Sequence, residues 1–263
     1  MQRVSRDGVA LAYEETGQGD PPILFVHGWS CDHRFFAPQV EQFSQKHRTI
    51  AVDLRGHGES DAPEQEYTMA AFADDLAWLC RELRVEKPIV VGHSMGAVIA
   101  LQLAAEHPDV PSAIVMIDGG TRTIAMPNGT DPSIAFAETI RQDDTEAIRE
   151  MLLGSMFLPT TDPHLRDWIT EAMLSRPRHV MASAWEQLRL VDGSGAAQNC
   201  KVPVLYIQAA GEKPELPRFQ ELCPQAIIGR TVGAGHFNML EVPDQVNAMI
   251  ERFLTLNDDR AVG

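Results

Sequence analysis

Basic residues are scarce in this sequence of 263 residues. It has 22 lysines and arginines against 37 aspartates and glutamates, which makes a formal net charge of −15 at pH 7. A surface with this charge repels the phosphates of nucleic acids and the headgroups of anionic membranes. We therefore expect neither a nucleic-acid partner nor a membrane partner.

Long hydrophobic runs are missing as well. A membrane-spanning helix needs about 20 predominantly apolar residues in succession, and no stretch of the sequence approaches that length. The first seven residues, MQRVSRD, are too polar for a secretory signal peptide. These observations predict a cytoplasmic protein.

Cysteines are few, and their spacing forms no recognisable motif. Without a C-x-x-C pair, the sequence gives poor support to a zinc ribbon, a thiol redox motif or a disulfide framework, and we expect the cysteines to be reduced and mostly buried. The nine histidines show no H-E-x-x-H or comparable ligand spacing. We expect no metal and no cofactor. The four cysteines are Cys31, Cys80, Cys200 and Cys223.

Buried strands and amphipathic helices alternate along most of the chain. Apolar residues make up 44% and charged residues 22% of the sequence, as in soluble globular proteins. Helical spacing of apolar residues occurs in residues 68–83 and in a last helix that begins at Pro243. This alternation predicts an α/β sheet with helices on both faces. The continuous apolar runs that indicate strands buried on both faces are residues 23–26, 49–52, 89–91, 113–117 and 204–207.

Residues 121–198 interrupt this alternation. They contain no convincing strand and are typical of several short helices bounded by prolines, which predicts a helical cap inserted into a core of residues 1–120 and 199–263. Methionines and aromatics are frequent here, as suits a pliable apolar lid, although ordinary helix packing explains any one of them equally well. We expect Met156, Phe157 and Trp185 to contact a substrate.

The segment 92–96, GHSMG, lies between a buried strand and a helical stretch. This is the context of a G-x-S-x-G nucleophile elbow, in which a strained turn presents the serine and side chains in place of the glycines would collide with the neighbouring strand and helix. Ser94 is the predicted nucleophile.

A serine nucleophile needs a base within hydrogen-bond reach and N–H groups that stabilise the developing oxyanion. Among the histidines, His236 fits best as the base, because it lies in a loop between the last strand and the last helix. The N–H group of Met95, directly after the serine, and that of Trp29, after the strand at 23–26, are the expected oxyanion donors.

Taken in chain order, HGW at 27–29, DLRGHGES at 53–60, GHSMG at 92–96 and GH at 235–236 resemble the α/β-hydrolase superfamily over essentially the whole chain. The resemblance implies a doubly wound, mostly parallel eight-stranded sheet with a cap insertion. It also implies Ser94 as nucleophile, His236 as base, and Trp29 and Met95 as oxyanion donors.

Two residues compete for the role of the acid that orients His236. Members of the family usually carry it in a G-x-x-D pattern after the strand that corresponds to residues 204–208, where this chain has AAGE and hence Glu212. A minority place it after the strand that follows the elbow helix, where this chain has Asp118. We favour Asp118 because it follows one helix and one strand after Ser94, at the same edge of the sheet, and we keep Glu212 as the alternative.

The leading functional hypothesis is hydrolysis of small to medium apolar carboxylic esters or lactones, and the expected partner is the small-molecule substrate. Haloalkane dehalogenases and epoxide hydrolases of this fold need a carboxylate nucleophile at the position where this chain has Ser94. We therefore exclude these two activities. Two alternatives stay open. Residues 27–33, HGWSCDH, together with Asp118, also resemble cofactor-free quinolone dioxygenases, in which a His–Asp pair deprotonates the substrate and no serine nucleophile is needed. In the competing interpretation, Trp29 and His33 simply line a substrate pocket. A ligand-binding module that turns over slowly is the other.

Overall fold

An eight-stranded sheet runs through the centre of the computed structural model, which describes residues 1–120 and 132–261. The strands lie side by side in the order β1-β2-β4-β3-β5-β6-β7-β8. β1 and β2, and β2 and β4, pair antiparallel, and every other pair is parallel. The sheet confirms the predicted fold class. The strands are β1 (Gln2–Arg6), β2 (Val9–Thr16), β3 (Ile23–Val26), β4 (Thr49–Asp53), β5 (Ile89–His93), β6 (Ala113–Ile117), β7 (Val204–Gln208) and β8 (Ala226–Arg230).

Burial explains why some strands could be predicted and one could not. Every residue of β3, β4, β5 and β6 is buried, so these strands are continuous apolar runs. β1, with the sequence QRVSR, lies at the edge of the sheet, is largely exposed and has no apolar pattern. Only its antiparallel pairing with β2 makes it a strand.

Two groups of helices flank the sheet. α3 packs against α2 and against the helix at residues 194–199, and α1 packs against α11. α2 and α11 begin where the sequence predicted, with Thr68 capping α2 through a hydrogen bond from the Ala71 N–H and Pro243 as the first residue of α11. The core helices are α1 (Ala37–Phe43), α2 (Met69–Glu82), α3 (Met95–Glu106), α9 (Leu216–Leu222), α10 (Asn238–Glu241) and α11 (Pro243–Ala261).

The segment between β6 and β7 is mostly helical where the structure describes it. Residues 132–199 contain helices and turns and no strand, as the sequence predicted for this insertion, while residues 121–131 of the predicted cap lie outside the described residues. The insertion therefore joins two adjacent strands of the sheet, and it starts after β6, the strand beside the elbow strand β5. Its helices are α4 (Phe136–Arg141), α5 (Thr145–Ser155), α6 (Pro163–Leu174), α7 (Arg178–Leu190) and α8 (Ser194–Asn199).

Candidate active site

Ser94 stands on a sharp turn between β5 and α3. Its backbone has a φ of +52° and a ψ of −114°, a conformation that costs a non-glycine residue about 1 to 3 kcal/mol and is tolerated only where the surroundings enforce it. The Ser94 N–H group donates a 2.9 Å hydrogen bond to the carbonyl of Ile117, which ties the turn to the end of β6. The turn thus lifts the Ser94 side chain to the carboxyl edge of the sheet.

The two glycines of the GHSMG segment are required by close backbone packing. A Cβ added to Gly92 would overlap the carbonyl group of Gly96, and one added to Gly96 would overlap the carbonyl oxygen of Val26 at the end of β3. The elbow therefore fits against its own helix and the neighbouring strand only without side chains at these positions.

Three predicted residues form a chain of hydrogen bonds. His236 Nε2 lies 2.9 Å from Ser94 Oγ, and His236 Nδ1 lies 2.7 Å from Asp118 Oδ2. Ser94 follows β5, Asp118 follows β6, and His236 is in the loop after β8. The parallel strands bring these three loops to one edge, as the sequence predicted. A serine, a neutral imidazole and a carboxylate in this order can activate a hydroxyl group for attack.

The Asp118 carboxylate is buried and has three donors. Besides His236, it accepts a 3.0 Å hydrogen bond from the Ala209 N–H group and lies 3.2 Å from Lys213 Nζ, both on its Oδ1 atom. Burial alone raises the pKa of Asp118, but the hydrogen bond from His236 and the charges of His236 and Lys213 outweigh burial, so this pKa lies below its ordinary value. The carboxylate is therefore ionised at neutral pH.

Glu212, the alternative acid, is exposed on the loop after β7. Within the described residues no hydrogen bond joins it to His236. The position that the family usually uses for its acid thus holds a solvated side chain here, and its neighbour Lys213 is the residue that turns toward Asp118.

His93, the second residue of the GHSMG segment, supports the loop of His236. Its Nε2 atom donates a 2.8 Å hydrogen bond to the backbone carbonyl of His236, and the two rings pack with centroids 4.7 Å apart. Burial, followed by the charge of His236, lowers the pKa of His93 to about 3, so its ring is neutral at pH 7. A neutral donor here holds the loop without placing a charge beside the base.

Both predicted oxyanion donors lie beside Ser94. Met95 is the first residue of α3, where an N–H group has no intrahelical acceptor. The backbone before Trp29 passes close to the serine, since a Cβ added to Gly28 would lie 3.2 Å from the Ser94 Cβ. The Trp29 ring is fixed by a 2.8 Å hydrogen bond from Nε1 to the carbonyl of Met181 in α7.

A cavity of about 420 Å³ opens onto this arrangement. The volume falls within the range of small-molecule sites, about 300 to 1,000 Å³. Ser94, His236, Trp29 and Met95 line one side, and the insertion supplies much of the other. The insertion's side chains in the wall are Ser155, Met156, Met173, Trp185, Leu188 and Arg189.

Of the four predicted substrate residues, Met156 and Trp185 line the cavity, and Trp185 also packs against Trp29 with ring centroids 4.8 Å apart. His33 and Phe157 do not line it. His33 instead bonds to Asp53 through its ring Nδ1 atom at 2.9 Å and through its backbone N–H group at 2.7 Å.

The Phe157 ring stacks on Phe237, with centroids 5.7 Å apart, so it reaches the site only through that neighbour. Lys213 and Arg189 are wall residues that the sequence reasoning missed. Their only sequence signal is positive charge in a loop and in a helix, which does not reveal the direction of either side chain.

Asp32, His33 and Asp53 place ligand-type atoms within 4.8 Å of one another. Hydrogen bonds already occupy these groups: Asp53 accepts from His33, and Asp32 pairs with Arg34 at 2.6 Å and with Arg176 at 3.0 Å. The cluster therefore serves as a structural anchor for the loop after β3.

No described helix is both long enough and apolar enough to cross a membrane.

Comparison with known proteins agrees with the fold. The family model described as alpha/beta hydrolase fold matches residues 21–243. The chain belongs to the alpha/beta hydrolase family. Within that family it is 29% identical over 264 residues to the AB hydrolase superfamily protein YisY of Bacillus subtilis, an alignment that covers 95% of this chain and 97% of the relative.

Two solved structures of alpha/beta hydrolases resemble the whole chain. A thermophilic esterase from Thermogutta terrifontis has a TM-score of 0.86 and 27% identity, covering 98% of this chain and 99% of the esterase. The enol-lactonase from Burkholderia xenovorans LB400 has a TM-score of 0.86 and 25% identity, covering 97% of this chain and all of the lactonase (100%). Family and neighbours together support a hydrolase.

Proposed function

We propose that this alpha/beta hydrolase cleaves small to medium carboxylic esters or lactones through an acyl-enzyme on Ser94. The observation that carries the proposal is the hydrogen-bonded chain from Ser94 through His236 to Asp118, which opens into the cavity. The names of its neighbours, an esterase and an enol-lactonase, support the choice of carbonyl substrate.

In the first half of the reaction, Ser94 Oγ attacks the ester carbonyl while His236 Nε2 takes its proton. The carbonyl oxygen becomes an oxyanion, and the N–H groups of Trp29 and Met95 are the donors that we assign to it. His236 then passes the proton to the departing alkoxide, which leaves as an alcohol. Asp118 holds the imidazole in the tautomer with its proton on Nδ1 and stabilises the imidazolium.

In the second half, water attacks the acyl group on Ser94, with His236 as the base again. The same oxyanion donors stabilise the second tetrahedral intermediate, the carboxylic acid leaves, and Ser94 regains its proton. All of these steps are acid–base and acyl-transfer chemistry. The residues that perform them are Ser94, His236, Asp118, Trp29 and Met95.

We assign the helical insertion the role of a cap that shapes the substrate pocket. Met156, Met173, Trp185 and Leu188 give its side of the cavity an apolar surface, while Arg189 places a guanidinium over the Trp185 ring, 4.2 Å from the ring centroid. The apolar part of the substrate is therefore expected to contact the insertion, and the reacting carbonyl to lie at the sheet edge.

A panel of p-nitrophenyl esters, lactones and quinolones, assayed with the wild type and the Ser94→Ala variant, tests the proposal. We expect esters or lactones to be turned over by the wild type alone, and mass spectrometry of the quenched enzyme to show an acyl group on Ser94. Ser155→Ala is the matched control, since Ser155 lines the same cavity but its hydroxyl donates to the carbonyl of Met151.

The panel also tests the dioxygenase alternative. Oxygen uptake with a 3-hydroxy-4-quinolone that survives Ser94→Ala would replace our proposal, because that reaction needs His236 and Asp118 but no serine nucleophile. His33, which belongs to the segment that resembles the dioxygenases, bonds to Asp53 and does not line the cavity. Saturable binding without turnover of any compound would instead point to a binding module.

A further inference from the structure

Lys213 occupies a position next to the acid of the hydrogen-bonded chain. Its Nζ atom lies 3.2 Å from Asp118 Oδ1, on the other oxygen of the carboxylate that accepts from His236. Its side chain is 21% exposed while that of Asp118 is 3% exposed, and Lys213 lines the cavity. The mechanism proposed above gives this lysine no task.

Lys213 contacts Asp118 from the loop of a neighbouring strand. Asp118 follows β6, and Lys213 is in the loop after β7, the adjacent strand. The N–H group of Ala209, at the start of that same loop, donates to the same Asp118 oxygen at 3.0 Å. One loop thus supplies both a backbone donor and a cation to a carboxylate that comes from its neighbour.

The charges around this pair are mixed in sign. His236 and Lys213 are both partners of Asp118, so a proton on His236 places two cations around a single buried carboxylate. Among the described residues, further titratable or charged groups near Asp118, the cavity or the loop of His236 come from β5, β7, α7, the loop after β7, and α10. They are His93, Tyr206, Arg189, Glu215 and Glu241.

We propose that Lys213 is a positioning residue for the triad, which holds the Asp118 carboxylate in place and shares its negative charge with His236. The inference rests on the proposed function, in which His236 is the base. It adds a fourth member, Lys213, to the chain formed by Ser94, His236 and Asp118.

The physical reason is the balance of charge around Asp118. With Lys213 present, the carboxylate is shared between two positive partners, so it stabilises a proton on His236 less than an unshared carboxylate would. Removing the ammonium makes protonation of His236 easier. The acid limb of the pH–rate profile, which reports loss of the free base, must then move to higher pH, by about 0.5 to 1 unit for one charge at this range in a partly solvated site.

The variant Lys213→Met keeps the length and apolar stem of the side chain and removes only the charge. Lys213→Arg restores the charge. Lys201→Met is the matched control, because it makes the same change in net charge at an exposed lysine whose Nζ donates to the carbonyl of Gln198. Circular dichroism and thermal unfolding establish that each variant is folded.

Two measurements are made on these proteins from pH 5 to 9. The first is the titration of His236 followed by NMR, with its signals assigned by their loss in His236→Asn. The second is the rate at which a fluorophosphonate labels Ser94. Neither needs the natural substrate, so failure of every ester and lactone in the panel would overturn the proposed function while Lys213 is still tested.

We expect the His236 titration and the acid limb of labelling to shift upward together by about 0.5 to 1 pH unit in Lys213→Met. Lys213→Arg and Lys201→Met should both titrate like the wild type. A titration of Lys213→Met within 0.2 units of the wild type, or a fall in labelling rate by the same factor at every pH, would show that Lys213 only packs the loop and would overturn the inference.

Discussion

The carboxyl edge of the sheet and the helical insertion hold their residues in different ways. At the sheet edge, backbone contacts leave almost no choice: Gly92 and Gly96 admit no side chain, and the Ser94 N–H group is bonded to β6. The helices of the insertion instead pack through buried apolar side chains such as Ile148, Ile169 and Val180. Ion pairs at its surface, Arg141 with Glu186 and Arg149 with Glu171, also join these helices. Exposed pairs of this kind contribute about 0 to 1 kcal/mol each.

The two regions meet at a few specific contacts. The Trp29 ring N–H group donates a hydrogen bond to the carbonyl of Met181. The His236 N–H group donates a 3.0 Å hydrogen bond to the carbonyl of Met156. Arg176 forms an ion pair with Asp32. Two of these contacts use backbone carbonyls of the insertion, which any residue can supply. If the proposed function is right, the comparison predicts that reactivity and specificity are separable: residues at the sheet edge would perform the chemistry, and cavity-lining side chains of the insertion would set which substrates bind.

The largest expected effect is at the sheet edge, in Ser94→Ala. Loss of the nucleophile should lower kcat by roughly 10⁴ to 10⁶-fold, as for other hydrolases that depend on a serine. The fold should survive, because the substitution removes one hydroxyl group and leaves no large cavity. A fluorophosphonate should label the wild type at Ser94 and leave this variant unmodified. Labelling at another serine would contradict the assignment.

The next largest effect is expected from substituting the acid. Here the comparison is between the loops after β6 and β7, which carry Asp118 and Glu212. Asp118→Asn should lower kcat by about 10³ to 10⁴-fold, because an amide no longer holds the correct imidazole tautomer or stabilises the imidazolium. Glu212→Gln is the control of equal shape and should retain wild-type kcat, since Glu212 is exposed. Steady-state kinetics on one ester would decide, and a large loss confined to Glu212→Gln would reverse the assignment.

In the insertion, Met156→Ala should change specificity and leave reactivity in place. Each methylene in an apolar pocket is worth about 1 to 3 kcal/mol of discrimination, so the ratio of kcat/KM between a short and a longer acyl chain should move about tenfold or more toward the longer one. Met156 still accepts the His236 N–H bond, because that bond uses its carbonyl. Leu153→Ala, at an exposed position 40% accessible to solvent, is the control. An unmoved ratio would place the acyl group elsewhere.

The smallest expected effect concerns the contact between Arg176 and Asp32. Their side chains are 10% and 2% exposed, so Arg176→Met removes one partner from a buried carboxylate. The free energy of unfolding should fall by about 1 to 3 kcal/mol at pH 7. The loss is limited to this range because Asp32 keeps its hydrogen bonds from Arg34. Urea denaturation measures this. Arg166→Met, which breaks an exposed pair with Asp167, should cost less than about 1 kcal/mol.

The pH dependence of this last effect has a definite sign. Burial raises the pKa of Asp32, but hydrogen bonds and charges, chiefly from Arg34, outweigh it and bring the pKa to about 2. An unfolded aspartate titrates at about 3.9, so the stability that comes from ionised Asp32 is complete above that pH and is lost as the pH falls toward 2. The difference between the wild type and Arg176→Met should stay constant from pH 7 to 5 and narrow below about pH 4. A constant difference down to pH 2 would mean that Arg176 acts by packing alone.

The sequence sufficed for the buried strands and the elbow because local rules decide them. A strand buried on both faces must be apolar throughout, and an elbow turn must have glycines where its backbone touches a neighbour. Hence Ser94, His236 and the run of parallel strands could all be read from residues a few positions apart. The sequence did not predict β1, because an exposed edge strand follows neither rule. Its strand conformation is stabilised by pairing with β2.

Which side chains share the cavity was decided by the tertiary structure alone. Asp118 and Glu212 both end a strand at the right edge, and only the paths of the loops after β6 and β7 bring the first to His236 and leave the second in solvent. The same reason explains His33 and Lys213. His33 was expected to line the pocket, but its hydrogen bond to Asp53 holds it away from the cavity. Lys213 was not expected there, but its ion pair with Asp118 holds it at the cavity wall. Periodicity determines which face of a strand or helix is buried, whereas the direction of a side chain on a loop depends on contacts with residues far along the chain.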